Sequence, residues 1–433
     1  MKTSKSRVAV ALMMSAMTAA AGAFLMSCSS DNNDGSGVPK VDGDNTLKPI
    51  VLTRSQQELV NHSNDFAFKL FREATKASAS NTGSIASQSV ILSPISVTYA
   101  LGMLNNGATG ETQQQINQVL GFVETGADGI NTFCRKMLTE APALDQLTKV
   151  MIANNIYMNE GYELKPTFME LAKQYYDAEP ETRDFHDEKT REVINQWGRE
   201  HTEGMIEEVL KAEEFDAHAV SYLLNAIYFK GVWAEKFDKG NTKEEVFRGE
   251  DGTERRLPMM HMEHEFSYID TELFQMVSLP YGNGAFSMSI LLPHEGKTVD
   301  DVMTTLTADS WCSYYNSTAI VDLKLPRFES NTDADLKEMM QRLGMERAFT
   351  DDAEFDYFCQ RPTKIDLMKQ VARINLDEAG TEAAAVTVVG MVETAFAPSE
   401  PERVTFHANR PFLYVISEES TGTIFFIGQY VGD

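Results

Sequence analysis

His261 and His264 lie three apart in H-M-E-H, a spacing that metal ligands can use. The plainer reading is a pair of surface or capping histidines beside the P-M-M strand. It fits better, and no metal is expected. Cys134, Cys312 and Cys359 lie far apart and form no C-x-x-C. Three unpaired, mostly buried thiols are therefore expected, with no disulfide framework and no zinc site. There is no G-x-S-x-G, no H-E-x-x-H and no Walker loop. The chain does not read as an enzyme, and no cofactor is implied. Acidic runs such as Glu213 with Glu214 and Glu418 with Glu419 read as solvated faces.

One stretch could instead change its own conformation. Residues 377–389 read D-E-A-G-T-E-A-A-A-V-T-V-V, with no proline. In an extended chain Thr381, Ala383, Ala385 and Thr387 share one side, and Glu382, Ala384, Val386 and Val388 share the other. One face is narrow enough to slide beneath neighbouring strands, and the only charge after Gly380 points away from it. Alanine favours helix and the β-branched run favours strand, so local propensity is divided. Gly380 can absorb a sharp backbone change just before the segment. The plainer alternatives are a buried strand or an alanine-rich helix start.

The surroundings are those of an exported globular protein. The 433 residues are 42% hydrophobic and 24% charged. Length alone suggests two or three domains, and no 20–50-residue repeat is present. Against 64 acidic residues stand 38 basic ones, a net charge of −26. So acidic a chain is a poor partner for nucleic acid, and no basic helix offers a heparin-like site. Lys2, Lys5 and Arg7 precede an alanine-rich apolar run at 8–24 and then L-M-S-C at 25–28. This reads as a signal peptide. Its end resembles a bacterial lipoprotein box, which would make Cys28 the first mature residue and its sulfur the lipid carrier. The alternative is an ordinary secretory signal with a chance cysteine. Residues 1–27 are therefore expected to be a signal, 28–54 a flexible tether and 55–433 the folded domain. A lipid anchor in the bacterial envelope, at the outer membrane, follows from this reading. Acids close to Cys28 are compatible with the cell surface.

Apolar spacing predicts a helix over 55–76, and residues 80–89 read as a loop. Ser93-Pro94 opens a second helix, 150–158 suits a strand, and 165–176 and 335–343 suit helices. Residues 279–293 suit two strands around a Gly/Asn turn.

Residues 376–387, L-D-E-A-G-T-E-A-A-A-V-T, resemble the reactive-loop hinge of the serpins, the loop-inserting protease inhibitors. Other segments match the family in order: S-P-I-S-V-T-Y-A-L-G-M-L-N-N-G-A-T-G-E-T (93–112), I-N-Q-W-G-R-E-H-T-E-G-M-I (194–206), N-A-I-Y-F-K-G-V-W-A-E-K-F (225–237), L-K-L-P-R-F (323–328), F-H-A-N-R-P-F-L-Y-V-I (406–416) and T-G-T-I-F-F-I-G (421–428). The resemblance implies an α+β serpin fold of three β-sheets and about nine α-helices, with an exposed reactive-centre loop at 379–404. It makes Glu378, Gly380, Thr381, Glu382, Ala383, Ala384 and Ala385 the hinge. Ser93, Ser96 and Asn225 match the shutter and Trp233 the breach. Gln370 stands where the family usually has a shutter histidine, and it can hydrogen-bond but not titrate.

The implied activity is suicide inhibition of serine or cysteine endopeptidases, in which the cut loop inserts into the main sheet. Residues 381–394 at about 3.3 Å each would span roughly 46 Å, enough to cross a large sheet. Counting from Glu378 at the family's spacing places the scissile bond at Thr394–Ala395. The loop is longer than usual, so Met391, Val392 and Phe396 are alternatives. No Lys or Arg lies between Ala379 and Pro401. Elastase-, subtilisin- or papain-like partners are therefore expected over trypsin-like ones. The resemblance also implies a monomer capable of loop-sheet polymers. Two other readings remain: a non-inhibitory serpin-fold binding protein, and a surface hydrolase or glycan-binding lipoprotein suggested by the signal alone.

Overall fold

The structure, a computed structural model, describes residues 45–82, 88–314, 317–381 and 402–433, with side chains for all of these except 77–82. The main sheet has six strands, in the order Phe328–Asp335, Leu367–Asp377, Gly380–Thr381, Ser221–Val232, Thr148–Asn159 and Glu181–Arg183. S-Y-L-L-N-A-I-Y-F-K-G-V forms its centre. An apolar run without alternation needs cover on both faces, and all but one of these residues are buried. One face packs on the helix Pro94–Asn105, every residue of which is buried. Pro94 at the first helical position supplies a preset φ and lacks only an N–H that would be unbonded anyway. Under the other face Tyr157, Tyr222, Leu224, Ala226 and Val371 form a smaller core with Ile194 of the helix Lys189–His201.

The second sheet has nine strands. Its strand Glu254–Asp270 is 17 residues long and belongs to two neighbourhoods. The first part pairs with Lys243–Arg248 and Thr318–Pro326, and residues 267–270 pair with Phe274–Tyr281. The third sheet implied by the resemblance is the portion made with Lys243–Arg248, Thr318–Pro326 and Arg403–His407; this long strand joins it to the second. Arg403–His407 lies just after the reactive loop and pairs parallel to Thr318–Pro326. The described residues contain nine α-helices.

Three local expectations are revised: the end of the first helix, the tether and Glu418. The first helix runs Arg54–Thr82, so residues 80–82 are helical. The supposed tether is docked in its last part: Ile50 is buried, its N–H donates to Ser420 Oγ at 2.9 Å, and the Asn45 amide donates to Asp145 at 2.8 Å. Cys134 and Cys359 are buried, but Cys312 is exposed. Glu418 is buried, because its carboxylate accepts the N–H groups of Ser420 (2.8 Å) and Thr421 (3.0 Å) and closes a turn.

Candidate functional site: the seam of the main sheet

The Leu367–Asp377 and Ser221–Val232 strands run parallel and pair from Leu367↔Tyr222 to Arg373↔Tyr228. Beyond Arg373 they part, and Gly380–Thr381 occupies the gap, antiparallel to both neighbours. Asp377 makes the turn that leads there. Its Oδ1 accepts the N–H groups of Ala379 (2.7 Å) and Gly380 (3.3 Å), as Asp commonly does in tight turns. Gly380 has φ +147°, and a Cβ on it would lie 2.1 Å from the Gly231 carbonyl oxygen. Only glycine fits this crossing.

The start of the segment expected to be the hinge thus lies inside the sheet. Thr381 is fully buried, and its hydroxyl lies 2.7 Å from Tyr281 Oη. Tyr281 stacks on Trp233, with ring centroids 4.4 Å apart. The Trp233 backbone N–H donates to Ala379 O, and its indole N–H to Asp377 O, each at 3.0 Å. Burial pushes the Tyr281 phenol far above its usual range, so it stays neutral.

Glu378 anchors the turn from the side. Its backbone oxygen accepts the Phe237 N–H at 3.0 Å. Its Oε1 accepts from the Thr242 hydroxyl (2.7 Å) and the Arg327 guanidinium (2.5 Å). Burial pushes its carboxyl up, but the hydrogen bonds from Thr242 and Arg327 outweigh that and hold it below the usual 4.5. A depressed carboxyl stabilises the fold above its ordinary value and loses that contribution as the pH falls through its folded value. Glu378→Gln should therefore melt below the parent at neutral pH, with the gap closing as the pH falls through and below the ordinary glutamate range. A gap unchanged across that range would show that the ion pair is not its source.

Lower in the seam, Gln370 joins the two strands to the buried helix. Its Nε2 donates to Asn225 Oδ1 (2.6 Å) and to Ser93 O (3.0 Å), and its Oε1 accepts the Ser93 N–H (3.0 Å). The Asn225 amide donates to Asn154 Oδ1 at 2.7 Å and to the Ser96 hydroxyl. Gln370 thereby matches both bonding groups of the Ser93 backbone, a geometry that a neutral amide offers. The Ser93 hydroxyl itself is buried without a partner, and it does not cap its helix.

Sequence reading missed several members of this site. Asn154 comes from the neighbouring strand, and Tyr281, Thr242 and Arg327 hold the hinge. Lys369, wholly buried, pairs with Asp333 (2.8 Å) and with Glu214. Glu214, expected to lie on a solvated face, is half-buried and pairs with this buried lysine. The N-N doublet at 154–155, polar inside an apolar strand, was the one available signal. Of His261 and His264, His261 approaches the Asp322 carboxylate (2.8 Å), which His407 also reaches (3.1 Å), and His264 packs edge-on against Phe266. Among the described residues no group of three or more His, Cys, Asp or Glu could hold a metal. Glu382, Ala383, Ala384, Ala385, Met391, Val392, Thr394, Ala395, Phe396 and Cys28 lie outside the described residues.

Known proteins share this architecture. A family model described as Serpin (serine protease inhibitor) matches residues 61–432. Serpin B4 of Homo sapiens is 32% identical over 388 residues, spanning 84% of this chain and 97% of that protein. The crystal structure of the thermophilic serpin tengpin in its native state superposes with a TM-score of 0.77 at 26% identity, covering 90% of this chain and 97% of tengpin. Human thyroxine-binding globulin, solved with its ligand, gives 0.76 at 25% identity, over 87% and 98% of the two chains. Matched over residues 61–432 in sequence and over nine-tenths of its length in fold, the chain belongs to the serpin family, whose members are typically protease inhibitors and are not themselves catalysts.

Proposed function

We propose that this chain is an inhibitory serpin that traps serine or cysteine endopeptidases by inserting its cut loop into the seam of the main sheet. One observation carries the reading: Gly380–Thr381 already pairs with both seam strands, antiparallel to each. Below it those strands meet in parallel register. An inserted strand would replace one parallel interface with two antiparallel ones, and parallel pairing is the less stable per residue. The driving force is thus local, a gain of ladder bonds plus burial of the small-residue face at Thr381, Ala383 and Ala385. The target enzyme supplies its own nucleophile and forms an acyl-enzyme through it. Insertion carries that acyl-enzyme away before water can release it.

The test is incubation with elastase, subtilisin and papain, read on a denaturing gel and by peptide mass spectrometry. The expected result is a covalent complex with the cut within 391–397, Thr394–Ala395 being the leading bond. Cleavage with no complex from any of them would overturn the inhibitory reading and favour a binding role, such as thyroxine-binding globulin has on the same fold.

The lipoprotein box at 25–28 supports anchoring of the mature chain in a bacterial envelope through Cys28. Cys28→Ala should shift the protein from the membrane pellet to the soluble fraction and abolish lipid labelling. A mature mutant that still pellets with membranes would refute the anchor.

A further inference from the structure

The two residues already in the seam fix where each later one would fall. Thr381 lies opposite Gly231 on one side and Leu376 on the other, and Gly380 opposite Val232 and Asp377. Below them the seam strands pair with each other, as in Gln370↔Asn225 and Arg373↔Tyr228. The three registers agree. Antiparallel pairing steps back one residue for each residue forward. Carried on, it sets residue 387 between Gln370 and Asn225, which are now partners, and residue 382 between Asn375 and Lys230. Side chains directly opposite one another share a face.

The sequence suits those places. On the core face Thr387 would meet the two amides of the shutter, and Ala385 would fall between the apolar partners Ile227 and Ala372. On the other face stands Glu382, the only acid between Gly380 and Val392. Its place is opposite Lys230. Lys230 is half-buried, and Lys149 lies directly across from it on its other side. Lys149 pairs with Glu203 at 2.6 Å. Among the described residues no acid and no hydrogen-bond acceptor meets the Lys230 side chain. Like charges directly opposite destabilise a sheet. The seam strand thus holds a cation short of a partner, one step beyond Gly231, where an acid would arrive.

We propose that Lys230 is the receptor for Glu382 in the inserted strand, and that this pair sets the register and speeds entry of the loop. The proposal rests on the inhibitory reading above and adds a positioning residue to it. The pair forms as residue 382 enters the sheet, so it favours the inserted state and the path to it.

The probe is an acetylated, dye-labelled peptide of residues 381–394, compared with the same peptide carrying Glu382→Lys. Uptake into the uncut full-length protein is followed without protease, on native gels and by fluorescence anisotropy. The parent should take up the glutamate peptide about fivefold faster than the lysine peptide, within the range of a cross-strand charge pair. Lys230→Glu should invert the preference, and Lys230→Met should abolish it. A role of Lys230 in the fold alone would slow both peptides alike. Lys230→Glu places an acid opposite Lys149, so its melting midpoint should not fall. Equal preference in parent and Lys230→Met, or none in the parent, would overturn the proposal and leave the inhibitory reading standing. A parent that takes up neither peptide would overturn both.

Discussion

Thr381→Arg should leave the loop as cleavable as before and remove almost all of the covalent complex. Thr381 is fully buried, bonded to Tyr281 and paired to strands on both sides. Arginine would bring a cation among Tyr281, Trp233 and the Gly231 backbone with no acid placed to meet it. Glu378 already accepts from Arg327 and Thr242 on Oε1. An unpaired buried charge costs several kcal/mol, so arginine would leave the seam in the uncut chain and would have to be buried there again when the cut loop inserts. Trapping is a race between insertion and deacylation, and each 1.4 kcal/mol added to the insertion barrier slows it about tenfold. A penalty of about 3 kcal/mol would slow insertion roughly a hundredfold, enough for deacylation to win. The stoichiometry of inhibition, measured against the protease that gives complex with the parent, would rise steeply while the cut bond stayed the same. Unchanged trapping by Thr381→Arg would mean that entry of this residue is not how the chain inhibits.

The second large effect should come from Asn225→Leu. Asn225 is the node of the shutter: it accepts from Gln370 and donates to Asn154 and Ser96. Leucine fits the volume and leaves three buried polar groups short of a partner. At about 1–3 kcal/mol for each orphan, the loss should be about 3 kcal/mol or more. The loosened seam should also admit the loop without cleavage. We expect a thermal midpoint several degrees lower, and conversion on mild heating to an inactive monomer or to polymers visible on a native gel. A variant with the parent's midpoint and the parent's shelf life would show that the amide network does not hold the seam shut.

That Gly380, Thr381, Trp233, Ser96 and Asn225 belong together was legible because their types and order recur as motifs, and all five line the seam. Their partners were not, for a physical reason. Asn154 meets Asn225 only because Thr148–Asn159 pairs in one register, Asn154↔Asn225. A one-residue slip would turn it to the other face. Tyr281 read as one more aromatic in a strand pair, and nothing nearby in sequence says that it stacks on Trp233. Lys369 and Glu418 defied their class, since buried charges are rare and need partners that arrive from far along the chain. The Ser93 hydroxyl ran the other way: a residue expected to act through its side chain contributes its backbone instead. The sheets were legible as strands, but the fusion of two of them through Glu254–Asp270 depends on where one long strand changes neighbours.

The order of strands in the second sheet bears on how the molecule is made. Phe412–Glu418 and Thr423–Tyr430, the last strands to be synthesised, sit side by side between Val90–Leu92 and Phe286–Pro293. The ribosome therefore delivers these two strands after both of their neighbours. Until residues 412–430 emerge, Val90–Leu92 has no strand partner in this sheet and Phe286–Pro293 leaves one edge unpaired, so the core cannot close. Pairings this distant in sequence form slowly and leave unpaired edges exposed in the meantime.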